Sequence, residues 1–204
     1  MPGENLLNVL RNGSKWAAIA AGLLIVVSSV LITIDVFARL LANQVLVQSF
    51  EVSRYLFAIA VASSLALAAI DKAHIRIDLF VNLMAMKWRA LIGVAAMASL
   101  AIVGSYFAWR GYLVAVMSFQ IGARPVSGFP VPLWIPQTAW VLGLVWFAVV
   151  CVLLTIIGLR MVSRKSWTEA NDLLGTTSIE DEIDQATDGV AAPESAGGTK
   201  GANS

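Results

Sequence analysis

The stretch WAAIAAGLLIVVSSVLITI, residues 16–34, decides the fold of this chain because it contains no charged side chain. About twenty apolar residues in an α-helix are long enough to cross the hydrocarbon core of a membrane. A signal peptide is the competing interpretation, since Arg11 and Lys15 precede the run, but its apolar region would be only about 7–15 residues long. We therefore expect a retained transmembrane helix over residues 16–42, preceded by a cytoplasmic N-terminus over residues 1–15.

Three further apolar runs follow along the chain and predict three more transmembrane helices. We place them at residues 51–71, 88–118 and 133–160, with a periplasmic loop over residues 119–132 between the last two. The second helix is rich in alanine and serine, which let helix backbones approach closely in lipid. We expect it to be the most buried of the four, against a partner inside or outside this chain. The third helix is long enough to be tilted or to project beyond the bilayer.

The composition of the chain also indicates a protein that lipid surrounds. Apolar residues make up 58% of the sequence and charged residues 13%, whereas soluble domains average about 45–50% and about 25%. The charges are divided unevenly: residues 1–165 contain thirteen Lys or Arg and five Asp or Glu, and residues 166–204 contain one Lys and eight Asp or Glu. We expect residues 166–204 to form an acidic, disordered cytoplasmic tail, because so polar a segment cannot bury enough apolar surface to fold alone.

The basic residues near the helix ends predict the orientation of the chain. Nine Lys or Arg lie in the N-terminus, the connection between the second and third helices and residues 160–165, against four on the other side. Cytoplasmic loops carry the excess of basic residues, so we expect both termini in the cytoplasm. Within residues 72–87, large apolar side chains recur three or four positions apart, which predicts a short amphipathic helix in the cytoplasmic interface. The predicted fold is therefore an all-α integral membrane protein with four transmembrane helices and one short amphipathic interfacial helix between the second and third.

Charged residues at the adjoining ends of the first two helices form the main candidate site. Asp35 and Arg39 are four positions apart, and Glu51 and Arg54 are three apart, so each pair can meet on one helix face. The helical hairpin then brings both pairs to one level. The cluster either holds the hairpin together or provides a polar contact for a larger partner. Arg110 can join either network, because an isolated charge inside a bilayer is costly.

A second polar pair lies at the start of the cytoplasmic connection, where His74 and Asp78 are four positions apart. His74 either hydrogen-bonds the backbone at the end of the second helix or forms, with Asp78, a polar contact to a partner. The chain has one histidine and one cysteine, Cys151. A bis-histidine haem site and an internal disulfide are thus impossible within it, and a histidine-based metal cluster is not expected.

The sequence lacks the patterns that are typical of catalysis. It contains no phosphate loop, no HExxH motif and no Ser/His/Asp set with a suitable layout. The middle of each predicted span also lacks a carboxylate, although coupled carriers commonly keep ionisable groups near the bilayer midplane. We therefore expect a chain that is not an enzyme, holds no cofactor, binds no nucleic acid and does not form a substrate pathway alone. The alternative is an autonomous small oligomeric carrier or channel, followed by a membrane enzyme or redox subunit.

Four segments, taken in their order and spacing, point to a known family. They are Asp35-Val-Phe-Ala-Arg39, Glu51-Val-Ser-Arg54-Tyr-Leu-Phe57, Ala73-His-Ile-Arg-Ile-Asp-Leu-Phe80 and Val131-Pro-Leu-Trp-Ile-Pro136. Together they resemble the small membrane subunit, the DctQ type, of tripartite ATP-independent periplasmic (TRAP) transporters. The resemblance covers roughly residues 16–160. The chain departs from the family pattern in having Ser63-Ser64-Leu65 where a glycine is expected, and in its longer acidic tail.

The resemblance implies a non-catalytic small permease subunit in the bacterial inner membrane, in contact with membrane lipid. Such a subunit binds a large membrane subunit of the DctM type, which carries the substrate and sodium sites. A periplasmic solute-binding protein of the DctP type captures an organic acid and delivers it, and a sodium gradient drives the uptake. The small subunit extends the stationary scaffold against which the transport domain of the large subunit moves.

Overall fold

A computed structural model of the chain describes residues 2–42, 49–71, 85–126 and 130–174, and these residues form five α-helices and no β-strand. The helices are α1 (Pro2–Ala42), α2 (Ser49–Ile70), α3 (Met86–Gln120), α4 (Trp134–Ser163) and α5 (Trp167–Leu174). The first four are each long and apolar enough to cross a membrane. The prediction of an all-α chain with four such helices is therefore confirmed for the described residues.

Two boundaries differ from the sequence prediction. The first helix begins at Pro2, so the segment predicted as a separate N-terminus, residues 1–15, continues this helix from Pro2 onward. Residues 166–174, predicted as part of a disordered tail, instead contain α5. The correction has a physical cause, because Leu174 is fully buried against the rest of the bundle. The predicted amphipathic interfacial helix falls on residues 72–84, outside the described residues, while Met86 and Lys87 already belong to α3.

The turn after α4 directs the chain back onto the bundle. The amide of Lys165 donates to the carbonyl of Val162, and the amide of Ser166 donates to the carbonyl of Met161. Lys165 has a positive φ of 59°. This is a Schellman motif, in which one left-handed residue ends the helix and turns the chain. Gly122 occupies the equivalent position after α3, with a φ of 61°. Glycine adopts this positive φ without strain because it has no Cβ.

α4 lies at the centre of the bundle, with α2 and α3 packed against it and α5 against its end. In its most apolar stretch, 50% of the residues are buried within the protein, compared with 28% in α2 and 11% in α1. Within this chain α4, rather than α2, is therefore the most buried helix; burial of the second helix against a partner outside this chain stays a prediction. The reason is the helix arrangement: α4 contacts α2, α3 and α5, whereas α2 contacts α1 and α4, and α1 packs mainly against α2.

Glycines allow α4 to approach its neighbours closely. A Cβ added to Gly143 would lie 2.9 Å from the carbonyl carbon of Ala62, on α2. A Cβ added to Gly104, on α3, would lie 2.8 Å from Cε1 of Phe147. Small residues at helix interfaces are the usual means of close packing in lipid, where no hydrophobic effect drives helices together. The alanines and glycines of this chain therefore serve its own bundle.

The largest core cluster contains residues from all five helices. Its members are buried side chains that meet where α1 begins, α2 ends and α4 ends; they include Leu10, Ala66, Met97, Phe147, Leu154 and Leu174. A hydrogen bond of 3.1 Å from Nε1 of Trp146 to Oγ of Ser14 adds a polar contact between α4 and α1. The end of the bundle at which α1 finishes and α2 starts is termed the hairpin end below. The other end, near this core, is termed the opposite end.

Candidate functional site

A buried carboxylate joins the two helices of the hairpin. Asp35 is 2% exposed, and its Oδ2 accepts a hydrogen bond of 2.7 Å from Oγ of Ser49, the first residue of α2. The same oxygen lies 2.6 Å from Nη2 of Arg39, one turn further along α1. A carboxylate removed from water needs such partners, because its desolvation costs several kcal/mol. Asp35 therefore links the end of α1 to the start of α2.

The second charged pair lies on the first turns of α2. Nη2 of Arg54 is 2.6 Å from Oε2 of Glu51, and the guanidinium carbon of Arg54 is 5.6 Å from the ring centre of Tyr55. The Glu51 side chain is 13% exposed, whereas that of Arg54 is 57% exposed. An exposed guanidinium held by a carboxylate keeps further N–H donors for groups outside the chain.

Both ion pairs have the same orientation relative to the bundle. The carboxylates of Asp35 and Glu51 point inward, and the guanidiniums of Arg39 and Arg54 are more than half exposed. The hairpin end therefore presents two fixed guanidiniums on its surface. Such groups suit contacts with carboxylates or phosphates, which they can bind through two parallel hydrogen bonds.

Sequence reasoning missed the serine that joins the two helices. Ser49 was expected in the connection between the first two helices, but it is the first residue of α2 and is buried. Its carbonyl also accepts a hydrogen bond from Oγ of Ser53, one turn along the same helix. A serine before an apolar helical stretch is a known helix-start signal. That signal could have moved the predicted start of the second helix to Ser49. It could not have revealed the contact between Ser49 and Asp35.

The other predicted site residues are not part of this cluster in the described structure. Arg110 is exposed on α3 and makes no ion pair among the described residues. Its neighbour Gly111 contacts Trp140 and Val141 on α4, about 10 Å along that helix from its start. His74 and Asp78 fall outside the described residues.

The described helices keep charge away from their central stretches. The Asp, Glu, Lys and Arg residues of α1 to α4, Arg110 included, lie outside residues 16–34, 55–70, 90–109 and 134–159. No group of three or more His, Cys, Asp or Glu suited to a metal ion occurs among the described residues. These features define a multi-pass membrane protein whose charged side chains lie toward the helix ends.

A comparison of the sequence with models of protein families identifies the family of this chain. The model for tripartite ATP-independent periplasmic transporters, DctQ component, matches residues 28–161, which is more than half of the chain. The chain therefore belongs to the DctQ family, and the resemblance found in its sequence is confirmed. It is a small permease subunit of a TRAP transporter and not an enzyme. No curated protein and no solved structure matches the chain significantly.

Proposed function

We propose that this chain is the scaffold for a large membrane subunit of the DctM type in the bacterial inner membrane. In this proposal, a periplasmic solute-binding protein of the DctP type delivers an organic acid, and a sodium gradient drives its uptake. The observation that carries the proposal is the lack of charge in the central stretches of the four described spans. A substrate and ion pathway needs polar groups at that depth, so it belongs in another chain.

The surface of α1 supports the proposal of a membrane partner. This helix is the least buried of the four spans, and its exposed face is apolar over most of its length; exposed residues include Ile19, Leu23, Val26, Val30, Phe37 and Leu40. Apolar packing between helices is weakly directional in lipid, so polar contacts determine the register of a partner. We propose that Arg39 and Arg54 supply those contacts at one end of this face.

Co-purification tests the subunit proposal directly. A tagged chain is extracted into nanodiscs, and the proteins that stay bound are identified by mass spectrometry. We expect a large multi-helix membrane subunit, and we expect sodium-dependent uptake in proteoliposomes only when both subunits and the binding protein are present. Solute flux by this chain alone would contradict the proposal and favour the autonomous carrier or channel.

Two matched arginine variants test the role of the hairpin end in holding the partner. Arg54 and Arg124 are both exposed, but Arg54 is held by Glu51 whereas Arg124 makes no ion pair among the described residues. We expect Arg54→Ala to lower recovery of the two-subunit complex more than Arg124→Ala does. Equal recovery of the two variants would count against this role.

Thiol labelling tests the proposed orientation, with both termini in the cytoplasm. The native Cys151 is buried in the core, so it contributes little background. In spheroplasts, a membrane-impermeant thiol reagent should label Arg124→Cys at once and Lys165→Cys only after lysis. The reverse pattern would place the termini outside.

A further inference from the structure

A group of exposed cationic side chains lies at the opposite end of the bundle, where α3 begins and α4 ends. They are Lys87 at the start of α3 and Arg160, Arg164 and Lys165 at the end of α4, here termed the basic rim. All four are exposed and none makes an ion pair among the described residues. The arginines of the hairpin end differ, because each has a carboxylate of this chain within 2.6 Å.

The last described helix brings the chain to the basic rim. Leu174, at the end of α5, is fully buried and packs at Gly158, beside Val94. Lys87 precedes Val94 by about 10 Å along α3, and Arg164 follows Gly158 by about 9 Å along α4. The chain therefore leaves the described structure within about 10 Å of the rim, measured along the bundle axis.

α5 already contains Glu169 and Asp172, and the sequence that follows it is also acidic. Residues 175–204 contain six Asp or Glu and one Lys. Four of the six lie within residues 180–184, as Glu180, Asp181, Glu182 and Asp184. The six-residue step from Leu174 to Glu180 can span up to about 20 Å. This length exceeds the axial distance of about 10 Å to the rim, and tethering keeps the acidic segment at a local concentration of the order of millimolar.

We propose that residues 180–184 dock on the basic rim of the same chain and cover it. Three observations lead to this assignment: the complementary charges, the absence of an ion pair at the rim among the described residues, and the short tether from a buried anchor. Exposed ion pairs are individually weak, so the contact depends on several pairs together and on the tether. Salt screens such pairs, with a Debye length of about 8 Å at physiological ionic strength. The contact does not depend on the proposed transport function.

Zero-length carbodiimide cross-linking tests the contact because it joins lysine amines to carboxylates that touch them. The full-length chain, in the complex with which it co-purifies, is placed in nanodiscs of phosphatidylcholine or of phosphatidylcholine with phosphatidylglycerol. We expect cross-links from Lys87 and Lys165 to residues 180–184 in both lipids. Their yield should fall about fivefold or more between 50 mM and 500 mM salt, because the Debye length shortens severalfold. Mixing isotope-labelled and unlabelled chains verifies that the links lie within one chain.

A variant that leaves every cross-linking group intact separates docking from random collision. Arg160→Gln/Arg164→Gln removes half of the rim's charge, and we expect it to lower the cross-link yield about threefold or more. Arg110→Gln/Arg124→Gln is the matched control, since it removes two exposed arginines elsewhere and should leave the yield unchanged. Three outcomes would overturn the proposal: no cross-links at low salt, equal yields in both double variants, or loss of the links in phosphatidylglycerol. The last outcome would show that anionic headgroups occupy the rim instead.

Discussion

Replacing Arg39 by glutamine removes the cationic partner of a carboxylate that the hairpin has buried. Oδ2 of Asp35 is shared between Arg39 and Ser49, so the variant removes the guanidinium and retains the hydrogen bond from Ser49. Removing one partner from a fully buried pair costs about 3–5 kcal/mol, whereas an exposed pair contributes about 0–1 kcal/mol. Because the Arg39 side chain is 53% exposed, we expect an intermediate loss of about 2 kcal/mol in the free energy of unfolding.

A loss of that size is large enough to measure by thermal unfolding. It corresponds to about a 30-fold change in the folding equilibrium, or a decrease in Tm of roughly 4–8 °C on the scale of soluble domains of similar length. The assay is intrinsic fluorescence of the purified chain in detergent or nanodiscs during heating. Arg124→Gln is the control, because Arg124 is exposed and makes no ion pair among the described residues.

A double-mutant cycle identifies Asp35 as the source of the loss. Asp35→Asn keeps an oxygen that can accept the bond from Ser49 and removes the buried charge. The double variant Arg39→Gln/Asp35→Asn should therefore cost less than the sum of the two single variants. The reasoning is refuted if Arg39→Gln is as stable as the control, or if the two effects add to within about 0.5 kcal/mol.

Three further predictions concern contacts elsewhere in the bundle, each measured as a change in Tm. Gly143→Ala should destabilise the protein by about 1–3 kcal/mol, because its Cβ would meet the backbone of α2 at 2.9 Å; Gly22→Ala, with nothing within 4 Å, should be neutral or slightly stabilising, and equal losses would contradict the close approach. Lys165→Gly should stabilise it by up to about 1 kcal/mol, since glycine has no Cβ to oppose the positive φ of 59°; a lower Tm would argue against the turn. Ser14→Ala should cost about 1 kcal/mol, because it leaves the indole N–H of Trp146 without its acceptor. Adding Trp146→Phe removes that unpaired N–H and should recover part of the loss; no recovery would contradict the bond.

The charged pairs illustrate which part of the site can be predicted from sequence. Helix geometry alone places side chains three or four positions apart on one face, so Asp35–Arg39 and Glu51–Arg54 could be predicted as neighbours. Sequence could not predict that the carboxylates face inward and the guanidiniums outward, because that depends on how α1 and α2 face each other. For the same reason Ser49, which meets Asp35 across the hairpin, could not be identified from its position in the chain.

The family membership and the four spans were determined by the sequence itself. A run of about twenty apolar residues defines a membrane-crossing helix without reference to its neighbours, because the solvent around it is lipid. The tertiary structure alone decided that α4 is the central helix and that α5 folds back to bury Leu174. Both depend on which helix faces meet, and the apolar surfaces of these helices offer lipid and protein almost the same contacts. Small residues at particular crossings, such as Gly143 against α2, then determine which faces can approach closely enough to pack.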